Sequence, residues 1–167
     1  MHASARVPSA EAILAIRAGC ALRCTFCSRS PDRVGHPLDD ALSPSFDLPC
    51  ARRVVLVAGD VLRPDLAPLV GRLRAGHAEE VVAYAHAGPV APDAVRTLAA
   101  SGLTGLLVVV PAADRATLAD LTRGTGSTAR LAALLDAAGD AGLGVELEVP
   151  VLAGTHAGLA ETVRRAP

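Results

Sequence analysis

The sequence predicts an α/β protein built on a parallel sheet of about five strand–helix units. Three observations carry this expectation. Short runs rich in Val, Leu and Ile recur at residues 12–16, 54–57, 81–85, 106–110 and 144–151. Several are apolar at every position, as in strands covered on both faces of a parallel sheet. Segments with apolar residues at helical spacing separate them, and Gly or Pro marks most joints, as in successive βαβ units.

Taken in order, residues 1–11 are polar and read as an N-terminal extension, and residues 12–167 as one domain. Residues 12–16 form the first strand, and Gly19 ends it. Residues 28–49 carry Pro31, Pro37, Pro44 and Pro49, a density that breaks helices; a loop is expected, with a single helical turn near Asp39. The second strand, residues 54–57, leaves through Ala58-Gly59-Asp60. Pro64 and Asp65 then open a helix with Leu66, Leu69, Val70 and Leu73 on one face and Gly76 as its stop, since proline tolerates the first turn and aspartate complements the helix dipole. The third strand, residues 81–85, ends at His86. A helix from Pro92 buries Val95, Leu98 and Ala99 and stops at Gly102. The fourth strand, residues 106–110, ends at Pro111. A short helical segment carries Leu118 and Leu121. Ser127 or Thr128 caps a longer helix with Leu131, Leu134, Leu135 and Ala138 buried and Gly142 as its stop. The fifth strand spans residues 144–151, and a last helix begins near Ala157.

Right-handed crossovers with short loops turn this alternation into an open doubly wound sheet or part of a barrel. In both, function gathers at the C-terminal ends of the strands. Residues 20–27, Cys-Ala-Leu-Arg-Cys-Thr-Phe-Cys, follow the first strand. Three thiols spaced CxxxCxxC on a loop can wrap a compact object. Thiolates are soft ligands that suit zinc and iron–sulfur clusters. A structural zinc site needs a fourth ligand, for which His36 and Cys50 are the candidates. A dithiol redox pair at Cys24 and Cys27 is a further reading. Cys50 otherwise reads as a small buried thiol.

Composition narrows the class. At 167 residues the chain is long enough to bury on the order of 70% of its unfolded surface in one core. Hydrophobic residues make up 51%, with only two Phe and one Tyr, so that core is aliphatic. A net charge of −1 gives no long-range field for nucleic acid or an anionic membrane. No apolar run reaches membrane-spanning length and no signal core opens the chain. Four cysteines in this spacing are not a secreted disulfide framework, so the expected location is the cytoplasm, with nucleic acid and membrane disfavoured as partners.

The cysteine loop, with Phe26 before its third thiol, resembles the hallmark of the radical S-adenosylmethionine superfamily, and the resemblance runs from about residue 12 to the end. It implies a partial (β/α) barrel, strands ordered one to five, with helices on the outer face. It implies that Cys20, Cys24 and Cys27 bind a [4Fe–4S] cluster whose fourth iron takes S-adenosylmethionine. Ala58, Gly59, Asp60 and Val61 match the family's Gly-Gly-Glu-Pro element, which holds the methionine amino group; Asp60 keeps the carboxylate one methylene shorter. Phe26 would flank the adenine. His86-Ala87-Gly88 falls where the family often has Thr-Asn-Gly, and Val109 where it often has a serine. Glu146 lies where some members contact the cofactor, and otherwise reads as a solvated strand residue.

The implied reaction is reductive cleavage of S-adenosylmethionine to a 5′-deoxyadenosyl radical that abstracts hydrogen from a substrate, peptide or small molecule being favoured. The implied partner is a single-electron donor such as a flavodoxin or ferredoxin. Two departures from the family, a weak first helix and a chain that stops after five strands, suggest a short, truncated or degenerate member. The alternative is a non-catalytic α/β domain holding zinc or an inactive cluster.

Overall fold

The computed structural model describes residues 9–27, 35–152 and 155–165; the polar residues 1–8 and the first part of the proline-rich segment lie outside them. Five strands, β1 (Ser9–Ala15), β2 (Ala51–Val57), β3 (Glu80–His86), β4 (Gly105–Val109) and β5 (Gly144–Glu148), form one sheet in the order β1-β2-β3-β4-β5. All four pairings are parallel. Neighbours in sequence are therefore neighbours in space. Every right-handed crossover then puts its helix on the same face, as expected of a partial barrel and not of a doubly wound sheet.

The connecting helices are α1 (Leu38–Leu42), α2 (Ala67–Ala75), α3 (Pro92–Ala100), α4 (Arg115–Leu121), α5 (Thr128–Asp140) and α6 (Leu159–Arg165). Several boundaries differ from the sequence expectation. The first strand begins at Ser9, because Ser9 and Glu11 continue the ladder to Ala51 and Arg53, so the extension ends before residue 9. The fifth strand stops at Glu148, ahead of Pro150, which has no N–H to offer a ladder. Pro64–Leu66 is a 3-10 turn leading into α2. The turn after α2 places His77, and not Gly76, in the left-handed region, at φ 78°. Asp114 caps α4 by accepting from the Thr117 N–H at 2.8 Å, and Ser127 caps α5 by accepting from that of Arg130 at 3.3 Å.

Alternation along each strand divides the chemistry. One face carries Val54, Leu56, Val81, Ala83, Ala85, Leu106 and Val108, all buried in a single core with Leu69, Val70, Leu73, Val95, Leu98, Leu131 and Leu134 of the helices. The concave face carries the intervening residues, among them Arg53, Val57, Tyr84, His86, Val109, Glu146 and Glu148. Among the described residues no helix is long and apolar enough to cross a membrane.

Arg53 organises the lower part of the concave face. Its Nη1 and Nη2 donate to both oxygens of Glu146 at 2.7 and 2.8 Å, Nη1 also to Glu80 at 3.0 Å, and Nε lies 3.1 Å from Glu11. The guanidinium holds the Glu146 carboxyl below its ordinary value, chiefly through those hydrogen bonds. Such a depressed group contributes stability above its unfolded pKa and loses it as pH falls through the folded one. The carboxylates are about half exposed, so solvent screening keeps the contribution small. Arg53→Gln is expected to cost about 1 kcal/mol at neutral pH, about 2–4 °C in Tm. The deficit should shrink as pH falls below about 4.3, the ordinary glutamate value. Thermal melts at pH 7 and pH 4 check this; an equal deficit at both would rule out the charge argument.

Candidate metal and cofactor site

The cysteine loop leaves the C-terminal end of β1 and is held at three places. Against β2, the Asp60 N–H donates to the Gly19 carbonyl at 2.7 Å, and the Asp60 carboxylate accepts from the Ala21 N–H at 3.3 Å. Against the end of α4, the Thr25 N–H donates to the Leu121 carbonyl at 2.8 Å, and the Arg23 N–H to the Thr125 hydroxyl at 3.0 Å. Within the loop the Cys27 N–H meets the Cys24 carbonyl at 3.3 Å, a tight turn that brings the last two thiols together. The α4 end is itself fixed by the buried Thr122, whose hydroxyl donates to Leu118 at 2.7 Å and accepts from the Gly126 N–H at 2.9 Å.

Gly59 is the point of closest approach. A Cβ there would lie 2.1 Å from the Gly19 oxygen and 2.7 Å from that of Ala18. The close approach that a glycine here permits is made by the cysteine loop.

A cavity of about 210 Å³ opens at the C-terminal ends of the strands. Cys20, Cys24, Cys27 and Phe26 line it together with Ala58, Gly59, Tyr84, His86 and Val109. Most of the motif residues expected at this end are thus brought together; neither Asp60 nor Glu146 lines the cavity. Asp60 sits beside the cavity, its carboxylate turned to Ala21. Glu146 lies lower on the concave face and is held by Arg53. Two residues on, Glu148 accepts from the hydroxyl of Tyr84, a lining residue, at 3.0 Å. Tyr84 went unread in the sequence, although the two-residue period of β3 places it on the face of His86. Thr122 and Thr125 carried no local signal at all.

Cys24 is not poised as the reactive thiol of a redox pair. Cys24 is pushed up to about 11, first by burial and then by the neighbouring Cys20 and Cys27. Cys20 is also raised, by burial first, with the Asp60 carboxylate adding to a rise that the Leu22 N–H opposes. A catalytic thiol of the CxxC type has a depressed pKa, the opposite direction. Crowded thiols such as Cys20 and Cys24, which resist ionisation alone, become good ligands once a cationic centre sits among them. This donor set fits a cluster held by three cysteines. Cys50 does not fit as a fourth ligand. It precedes the first residue of β2, and seven residues at ~3.3 Å each separate it from the cavity end of that strand. His36 packs edge-on against Phe46, ring centroids 4.8 Å apart.

No protein-family model and no curated protein matches the chain. Solved structures do. Coproporphyrinogen III oxidase (HemN) from Escherichia coli, described as a radical SAM enzyme, aligns at TM-score 0.64 and 17% identity over 95% of this chain and 41% of its own. Methylornithine synthase (PylB) aligns at TM-score 0.67 and 13% identity, over 94% and 49%. The radical S-adenosylmethionine methyltransferase TsrM from Kitasatospora setae, solved with cobalamin and a [4Fe–4S] cluster, aligns at 0.55 and 18%, over 84% and 30%. The chain therefore has the α/β partial-barrel fold of radical SAM enzymes. It spans less than half of the length of each of these three structures.

Proposed function

We propose that this chain is a radical SAM enzyme, or the cluster-binding part of one, acting on a peptide or small molecule with an electron from a flavodoxin- or ferredoxin-like donor. One observation carries the reading: the three thiols of CxxxCxxC, and not Cys50, share a cavity at the C-terminal mouth of a partial barrel with this fold. Cys20, Cys24 and Cys27 would hold a [4Fe–4S] cluster, leaving an iron for S-adenosylmethionine. When bound, the cluster supplies one electron to the sulfonium, the start of hydrogen-abstraction chemistry. The chain's own contribution is positioning and exclusion. Phe26 offers an apolar wall, Leu118 and Val109 keep the floor dry, and the Asp60 carboxylate stands at the rim where an ammonium group would be met.

A second reading, a metal-binding domain without catalysis, draws on two features. Val109 lines the cavity without a hydroxyl, and Asp60 already accepts a hydrogen bond from the loop.

Anaerobic reconstitution with iron and sulfide separates metal from no metal. The expected product is brown, with about four irons and four sulfides per chain, a [4Fe–4S] stoichiometry. Cys20→Ala, Cys24→Ala and Cys27→Ala should each lose most of that iron, and Cys50→Ala should keep it. A colourless protein with one tightly held zinc would sink the cluster reading.

A further inference from the structure

His86 stands at the end of β3 with its ring half-buried in the cavity wall, and its hydrogen bonds define its tautomer. The Gly88 N–H, which donates to the His86 carbonyl at 2.8 Å, also faces Nδ1 at 3.2 Å, so a lone pair and not a second proton suits that nitrogen. Nε2 is surrounded by acceptors: the Gly59 carbonyl at 2.6 Å, the Cys20 sulfur at 3.5 Å and an Asp60 carboxylate oxygen at 3.6 Å. Only a proton on Nε2 satisfies this arrangement. The same three residues, Cys20, Asp60 and His86, hold their potential ligand atoms within 4.8 Å of one another, the outline of a small metal site. A metal on Nε2 would break the 2.6 Å bond to the Gly59 carbonyl and move the ring proton to Nδ1, where it would face the Gly88 N–H, so the arrangement does not favour that use.

We propose that His86 is a positioning residue for Cys20, sharing its Nε2–H between the Gly59 carbonyl and the Cys20 sulfur. The shared proton ties the end of β2 to the first thiol of the loop. The proposal rests on the cluster reading above for its consequence. A hydrogen bond to a cluster-ligating sulfur stabilises the more electron-rich, reduced state and so raises the reduction potential. Gly88 is part of the device. A Cβ there would lie 2.8 Å from both Cε1 and Nδ1 of the ring, so only glycine lets the imidazole reach this position.

The test compares the midpoint potential of the reconstituted wild-type chain with His86→Phe and His86→Gln, iron content being measured on each. Phe fills the site without a donor; Gln places an amide N–H near the position of Nε2. The expected result is a more negative potential for His86→Phe and recovery toward wild type for His86→Gln, at equal iron content. If His86→Phe holds no cluster, Gly88→Ala carries the same comparison, since it moves the ring while keeping the histidine. Unchanged potentials in variants that hold the cluster would overturn the proposal and leave the cluster reading standing. A wild-type chain that takes up no iron would overturn both. Nitrogen-15 NMR of the metal-free chain adds a readout independent of iron: the Nε2–H tautomer is expected, and the Nδ1–H tautomer would overturn the assignment.

Discussion

Gly59→Ala is expected to lower the melting temperature by roughly 6–12 °C and, on the proposed cluster reading, to remove most of the iron uptake. The added methyl would sit 2.1 Å from the Gly19 oxygen, 2.5 Å from the Gly19 carbonyl carbon and 2.7 Å from the Ala18 oxygen. All three are backbone atoms, so no rotamer change relieves the contact. Overpacking of this kind costs about 1–3 kcal/mol. If the loop retreats instead, the 2.7 Å bond from the Asp60 N–H to Gly19 is lost, at about 1 kcal/mol. A total near ~3 kcal/mol in a chain of this length gives the stated shift at about 2–4 °C per kcal/mol. Cys20 follows Gly19 directly, so the retreat carries the first thiol out of register with Cys24 and Cys27. Differential scanning calorimetry and iron analysis on the same preparation check both parts. A variant with wild-type melting and wild-type iron would show that loop and strand end are not pressed together as described.

The joint at Gly59 also separates what local sequence pattern encodes from what it does not. The strands were legible because parallel strands buried on both faces spell continuous apolar runs, as in residues 54–57 and 106–110. Their order followed, since short crossovers leave sequential strands adjacent. The loop's place at the strand ends was legible for the same reason. What holds the loop there was not. The Leu121 carbonyl and the Thr125 hydroxyl grip residues far upstream, Thr25 and Arg23, and separations of that kind leave no local pattern. Glu146 shows the same limit. Its place on the fifth strand suggested a cofactor contact, but whether a carboxylate faces a ligand or an arginine depends on what the opposite strand carries. Arg53 reads in sequence as the polar start of an apolar run. Only the closing curve of the sheet brings it to Glu146, 93 residues away.

On the proposed reading, Asp60→Asn is expected to weaken S-adenosylmethionine binding to the reconstituted chain about tenfold to a hundredfold while leaving iron content and melting temperature near wild type. The substitution is chosen for what it keeps. Asparagine retains a carbonyl oxygen at the position that accepts the Ala21 N–H, so the loop stays anchored; what is lost is the negative charge. A carboxylate meeting an ammonium group makes a charge-assisted hydrogen bond, which contributes roughly 1.5–3 kcal/mol, and about 1.4 kcal/mol is a factor of ten in affinity. Asp60 is half exposed and stands 3.6 Å from the His86 ring, at the rim where a ligand's polar end enters and not among the apolar residues of the floor. Because the carboxylate already serves Ala21 through one oxygen, the other is the one offered to the ligand. The substituted side chain would present an amide N–H there instead, a donor facing a donor. The measurement is titration of S-adenosylmethionine into both proteins, followed by electron paramagnetic resonance of the reduced cluster. Equal affinity in the two would remove Asp60 from the binding role. A wild-type spectrum that does not respond to the cofactor would favour the non-catalytic domain, with the same three cysteines holding a cluster that has no ligand to reduce.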